Sequence, residues 1–197
     1  MVSAALNGRR AVQAVVIGGS AGSVSALGVV LPGLPADFPP VLIVVHVLPS
    51  SPSLLPAVFA SRCAMRVREA ESFEAIERGS VYFAPADYHL LVERDRRCSL
   101  SIEPPVHFSR PSIDVLFESA ADAYGAGLVG VVLTGASSDG TQGLLAVHRA
   151  GGQAIVQDPD TAEVAIMPRA ALQATPSAIV VPVSRIVAEL LSLVAQS

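Results

Sequence analysis

Tryptophan is absent from this 197-residue chain, cysteine occurs twice, aromatic residues make up 5% and charged residues 15%. Each scarcity excludes a class of protein. Cys63 and Cys98 form neither a disulfide framework nor a metal-ligand spacing, so a reducing compartment is the simplest reading. The chain has no run of lysine or arginine and a formal net charge of −4, which argues against nucleic acid and against an anionic membrane surface as partners. Apolar runs stay short: Ala14–Ile17 cannot span a bilayer, and Arg9-Arg10 with its brief apolar sequel is not a secretory signal. A cytoplasmic protein without membrane insertion is expected.

What is present is apolar. Hydrophobic residues make up 51% of the chain, enough for one sizeable core. With no internal repeat, low-complexity tract or dividing linker, a short N-terminal tail (1–11) and one domain (12–197) are expected. Val- and Ile-rich runs recur at Ala14–Ile17, Val41–His46, Leu128–Thr134, Ala154–Val156 and Ala178–Val181, continuous in hydrophobicity as strands covered on both faces should be. Amphipathic stretches fall between them at Val24–Leu31, Leu54–Arg62, Ser112–Tyr124, Gly140–Ala150, Pro168–Ala174 and Val183–Val194. That alternation predicts an α/β fold, a doubly wound and mostly parallel sheet with helices on both faces. Ser80–Ala84, His89–Glu93 and Ser99–Glu103 lie closer together, and Arg94-Asp95-Arg96-Arg97 parts the last two, so an antiparallel hairpin is expected on the sheet edge.

The first strand runs into Gly18-Gly19-Ser20-Ala21-Gly22-Ser23. A dinucleotide fingerprint begun at Gly18 needs glycine where Ser20 and Ser23 stand, and one begun at Gly19 needs it at Ala21; no phosphate-loop lysine follows either. Gly18-x-Ser20-x-Gly22 does fit a nucleophile elbow, in which small neighbours permit the tight backbone that exposes a serine hydroxyl. The alternative for Ser20 is an ordinary strand-to-helix cap.

In open parallel sheets ligands bind beyond the carboxyl ends of the strands, so reactive residues are sought where strands stop. Val41–Val45 ends on His46, and Leu128–Thr134 runs into Gly135-Ala136-Ser137-Ser138-Asp139-Gly140. A buried histidine satisfied by backbone and an aspartate capping the helix that follows are the bland readings of His46 and Asp139. Together with Ser20 they supply nucleophile, base and orienting acid. The order Ser, His, Asp is not that of the α/β-hydrolases, and His148, which nominally completes their order, falls within a predicted helix.

These residues, with Val44-Val45-His46, Phe83-Ala84-Pro85-Ala86-Asp87-Tyr88-His89, Arg110-Pro111-Ser112-Ile113-Asp114, Leu133-Thr134-Gly135-Ala136-Ser137-Ser138-Asp139-Gly140, Ala150-Gly151-Gly152 and Met167-Pro168-Arg169, occur in an order that resembles the catalytic domain of the CheB-type protein-glutamate methylesterases of bacterial chemotaxis. The resemblance runs from about Val12 onward. It implies a serine hydrolase that demethylates glutamyl methyl esters on chemoreceptor cytoplasmic helices, and that also deamidates receptor glutamines, with Ser20, His46 and Asp139 as triad. Backbone N–H groups near Ala21 and Ala136 are the implied oxyanion donors. Arg110, in a motif of that resemblance, is implied as a residue that binds substrate or caps the site; its bland reading is a structural salt bridge. No cofactor and no metal are implied; the partners are a methyl-accepting receptor and a separate signalling regulator. A non-catalytic binding module of the same fold and a small-ester hydrolase remain open.

The chain also departs from the family pattern. Ala21 replaces a hydroxyl residue, Ser23 a glycine, Ala136 and Ser137 a methionine and a glycine, and Ser109 a histidine. Many relatives carry a receiver domain ahead of the catalytic one, whereas about a dozen residues precede the first strand here, so regulation by a partner protein or through expression is expected. His89, His107 and His148 are expected at surface or packing positions, and Cys63 and Cys98 in packing.

Overall fold

The computed structural model describes residues 11–46 and 54–196. Of the expected tail only Ala11 is among them, and the residues that follow His46 lie outside them.

Seven strands form one sheet: β1 (Ala14–Gly19), β2 (Val41–Val45), β3 (Arg66–Glu69), β4 (Ser80–Phe83), β7 (Leu128–Val132), β8 (Gln153–Gln157) and β9 (Ile179–Val181). Their order is β3-β4-β2-β1-β7-β8-β9, and every neighbouring pair is parallel. The helices α1 (Ser23–Val30), α2 (Leu55–Ala60), α3 (Ile113–Tyr124), α4 (Thr141–Arg149), α5 (Ile166–Ala174) and α6 (Val183–Ala195) cover both faces.

Side-chain alternation along β1 explains the two core layers. Ala14 and Val16 enter one layer with Leu116 and Phe117 of α3 and Leu144 of α4, while Val15 and Ile17 enter the other with Leu27 of α1 and Leu190 of α6. All the residues of β1, β2 and β7 are buried, which is why these strands read as continuous apolar runs.

The middle of the chain is arranged differently from the sequence pattern in two respects. Ser80–Phe83 is not grouped with the hairpin: fully buried, it forms β4 inside the parallel sheet, between β2 and β3. The hairpin itself does form, from β5 (His89–Val92) and β6 (Cys98–Ser101), but as a separate two-stranded sheet. Its apolar Leu90, Val92 and Cys98 turn toward α3, and the Val92 N–H donates to Ser119 Oγ of that helix at 3.1 Å, so burial on a helix takes the place of pairing with the sheet edge. The edge beside β4 belongs instead to β3, whose Arg-Val-Arg-Glu sequence gives no apolar run. Charged side chains suit an unpaired edge, since they oppose association with another strand.

The strand order reverses about β1. The chain places β2 and β4 on one side of it, then returns to place β7, β8 and β9 on the other. That is a topological switch point, where the loops after β1, β2 and β7 open beyond the carboxyl edge.

Candidate active site

Ser20 immediately follows β1, His46 follows β2 and Asp139 lies on the loop after β7. Because β2, β1 and β7 are neighbours, these chain positions meet at one edge. Gly19 pairs with Val45, and the His46 N–H donates to the Gly19 carbonyl at 3.1 Å, so Ser20 and His46 occupy the next register position. On the other flank the Ser20 N–H donates to the Thr134 carbonyl at 3.0 Å.

The turn after Ser20 is sharp. Ser23 N–H returns to the Ser20 carbonyl at 3.0 Å, and Gly22 lies at φ 79°, ψ −9°, a left-handed conformation open to glycine at low cost. Gly18 is required for a different reason. A Cβ there would overlap Ile113 Cγ2 at the start of α3, which packs directly on the strand. Gly18→Ala is therefore expected to cost about 1–3 kcal/mol of stability through overpacking, read as a lower urea midpoint. An unchanged midpoint would mean that Ile113 moves aside freely.

His46 Nε2 meets Asp139 Oδ2 at 2.7 Å, with the two side chains 13% and 0% exposed. Neutral histidine then donates from Nε2, leaving Nδ1 as the nitrogen with a free lone pair. Asp139 is also the centre of a wider set of donors. Its Oδ1 accepts from Ser112 Oγ at 2.9 Å, from the Asp114 N–H at 3.0 Å and from the Gly140 N–H at 3.0 Å, and its Oδ2 accepts from the Ile113 N–H at 2.7 Å. The carboxylate thus sits on the N-terminus of α3. The sequence expectation of a cap on the following helix is met only by the Gly140 contact; Gly140, the residue before α4, has no side chain with which to cap it. Burial alone would raise the Asp139 carboxyl, but the donors from His46, Asp114, Ile113 and Ser112 outweigh it and hold the pKa below the usual value of 3.8.

Ser112 and the first N–H groups of α3 were not singled out as site residues by the sequence. A signal was present: serine is a preferred residue before a helix, and it lies in the Arg110-Pro111-Ser112 motif. Its hydroxyl, however, caps a carboxylate 27 residues away in place of its own helix.

Arg110 is held by four hydrogen bonds. Nε and Nη2 reach Asp87 Oδ1 at 3.0 and 2.7 Å, and Nη1 reaches the carbonyls of Ile102 and Glu103 at 2.8 and 3.0 Å. These contacts include the ion pair to Asp87. Ala21 and Ala136 are exposed, and among the described residues neither N–H donates to another group of the chain. The Ser20 hydroxyl, half-buried, likewise makes no hydrogen bond among them.

The other histidines sit outside this cluster. Buried His89 accepts the Ser112 N–H on Nδ1 at 3.1 Å and places Nε2 at 3.2 Å from the Pro104 carbonyl, which orients the start of α3. His107 Nε2 lies 3.3 Å from Asp114 Oδ2, and His148 Nε2 lies 3.2 Å from Ser177 Oγ. Burial pushes the Cys98 thiol up to about 12, an unreactive packing residue. Among the described residues no group of three or more His, Cys, Asp or Glu side chains is placed to hold a metal, and no helix is long and apolar enough to cross a membrane.

The model of the family described as CheB methylesterase matches residues 15–190. The chain belongs to the CheB methylesterase family. A putative protein-glutamate methylesterase/protein-glutamine glutaminase of Leptospira interrogans is 50% identical over 164 residues, covering 83% of this chain and 85% of that protein. A protein-glutamate methylesterase/protein-glutamine glutaminase of Xanthomonas oryzae is 43% identical over the whole chain, which spans 56% of that longer protein. The crystal structure of the Thermotoga maritima CheB methylesterase catalytic domain matches with a TM-score of 0.88 at 32% identity, covering 93% of this chain and 100% of that one. This CheB-family chain thus has the seven-stranded parallel sheet and separate hairpin in a fold shared with that domain.

Proposed function

We propose that the chain is a protein-glutamate methylesterase that also deamidates glutamine, acting on cytoplasmic helices of a methyl-accepting chemoreceptor. The observation that carries the reading is the 2.7 Å contact to a fully buried carboxylate from His46, which follows β2 as Ser20 follows the neighbouring β1. Such a carboxylate fixes the imidazole tautomer and offsets the charge that forms when the imidazole takes a proton.

In the proposed reaction Ser20 Oγ attacks the ester carbonyl while His46 Nδ1 accepts the hydroxyl proton. The Ala21 and Ala136 N–H groups stabilise the oxyanion. Collapse expels methanol, which takes the proton from His46, and leaves a glutamyl ester on Ser20. Water, deprotonated by His46, then releases glutamate and restores the serine. With glutamine as substrate the same acyl-enzyme forms and ammonia leaves. The protein acts in the cytoplasm.

One observation favours a second reading, a binding module without turnover: the Ser20 hydroxyl makes no hydrogen bond to His46. Loose contacts of this kind are ordinary in a site without substrate. Release of radiolabelled methanol from a methylated receptor, wild type beside Ser20→Ala, separates the readings. Label released by wild type and not by Ser20→Ala supports the methylesterase. Receptor binding without release supports the module, and turnover of a chromogenic ester alone supports a small-ester hydrolase.

A further inference from the structure

Two buried hydroxyls hold the turn that carries Ser20. Ser23 is fully buried, and its Oγ donates to the Ser20 carbonyl at 2.6 Å, alongside the 3.0 Å bond from its own N–H. A trans peptide is planar, with C=O and N–H pointing in opposite directions. Fixing the Ser20 oxygen toward the buried start of α1 therefore aims the other end of the same peptide, the Ala21 N–H, toward the exposed side.

The adjoining peptides are tied to one residue. Thr134 is 1% exposed; its Oγ1 lies 2.9 Å from the Ala21 carbonyl and 3.2 Å from that of Val164, and the shorter contact takes its single proton. The same oxygen accepts the Val164 N–H at 2.8 Å. The Thr134 carbonyl receives the Ser20 N–H at 3.0 Å, and its N–H donates to buried Gln157 Oε1 at 2.9 Å. Thr134 thus grips the peptides before and after Ser20–Ala21, and Ser23 grips the one between.

We propose that Ser23 and Thr134 are positioning residues of the oxyanion site, whose hydroxyls hold the Ser20–Ala21 peptide so that the Ala21 N–H faces the oxygen on which charge develops. This rests on the acyl-transfer reading above.

The test is steady-state kinetics of the full chain on labelled receptor and on a nitrophenyl ester, with kcat and KM separated. Complete loss of an oxyanion donor costs about 10²–10³ in kcat, and a donor left in place but loosened costs part of that. Ser23→Ala and Thr134→Val are each expected to lower kcat by about tenfold with KM within about twofold. Thr134→Ser, which keeps the hydroxyl, is expected to recover most of the loss. Should Thr134→Val fail to fold, Ser23→Ala and Thr134→Ser carry the test. Ser23→Ala with wild-type kcat, or with its loss confined to KM, overturns the positioning role while leaving the acyl-transfer reading intact. A wild type inactive on both substrates, or a Ser20→Ala variant as active as wild type, overturns that reading and this inference with it.

Discussion

Asp139→Asn is expected to lower turnover by on the order of 10⁴-fold, the loss that the equivalent change causes in a serine protease. The cause is specific. Asp139 accepts from His46 Nε2 and from the donors of Ser112, Ile113, Asp114 and Gly140, and offers only lone pairs in return. An asparagine turns one oxygen into an N–H₂ group, which must face a donor wherever it points. If that group faces His46, the imidazole reverses its tautomer and Nδ1 carries a proton, so it cannot accept one from Ser20. If it faces the start of α3, unpaired N–H groups there lower stability by about 1–3 kcal/mol. Ser20→Ala and His46→Ala are expected to cost at least as much turnover as Asp139→Asn. The double variant Ser20→Ala/His46→Ala should be little worse than either single, because groups that act as one unit are not additive. Methanol release, measured beside circular dichroism to confirm folding, checks the set. Retention of more than about a tenth of wild-type turnover by folded Asp139→Asn would mean that Asp139 only anchors α3.

The second large effect concerns Asp114, and here removing a charge stabilises the protein. Asp114 is 4% exposed, and its Oδ1 accepts the Gly143 N–H of α4 at 2.7 Å. Burial pushes its pKa up from 3.8 to about 6; the Gly143 bond and nearby His107 oppose the rise, and the charges of Asp139 and Glu118 add to it. The folded value lies above the unfolded one, so between about pH 4 and pH 6 the native state holds a proton that the unfolded chain has already released. Stability then falls as pH rises through that window, at about 1.4 kcal/mol per pH unit, reaching a cost of up to about 3 kcal/mol above it. Asp114→Asn keeps an acceptor for Gly143 and has no charge to bury. It should match wild type near pH 4 and exceed it in stability by about 1–3 kcal/mol at pH 7. Denaturant unfolding across that range is the measurement, and a difference that does not vary with pH would show that Asp114 carries no such burden. Asp139 has the opposite sign: its folded pKa lies below 3.8, so its contribution is present above that value and is lost as pH falls through the folded pKa.

The two acids illustrate what could be read in advance. Asp139 stands out in the sequence because a glycine-rich loop follows an apolar strand. Asp114 looks like any acidic residue in the first turn of a helix. Only the crossing of α3 and α4 reveals that each helix start receives a carboxylate from the other's segment, Asp139 on α3 and Asp114 on Gly143 of α4. Nothing local announces that exchange, since the partners lie 26 and 29 residues apart.

The sequence by itself determined the α/β alternation, the strands that end at Ser20, His46 and the Asp139 loop, and the helices within a residue or two of their observed bounds for most of the chain. It could do so because strands buried on both faces must be continuously apolar, and because turns after strands need glycine. Edge strand β3 escaped, as it is half-exposed and charged, and the hairpin's packing partner escaped because alternation says that one face is buried without saying against what. Tertiary structure alone decided which strands are neighbours, and hence that Ser20 and His46 share a register step. It also decided that Nε2 of His46 meets Asp139, that Arg110 closes on Asp87 and two carbonyls, and that Thr134 grips Ala21 from 113 residues away. These are contacts between loops, whose partners depend on how the sheet is ordered, and sheet order is a property of the whole core that no local pattern encodes.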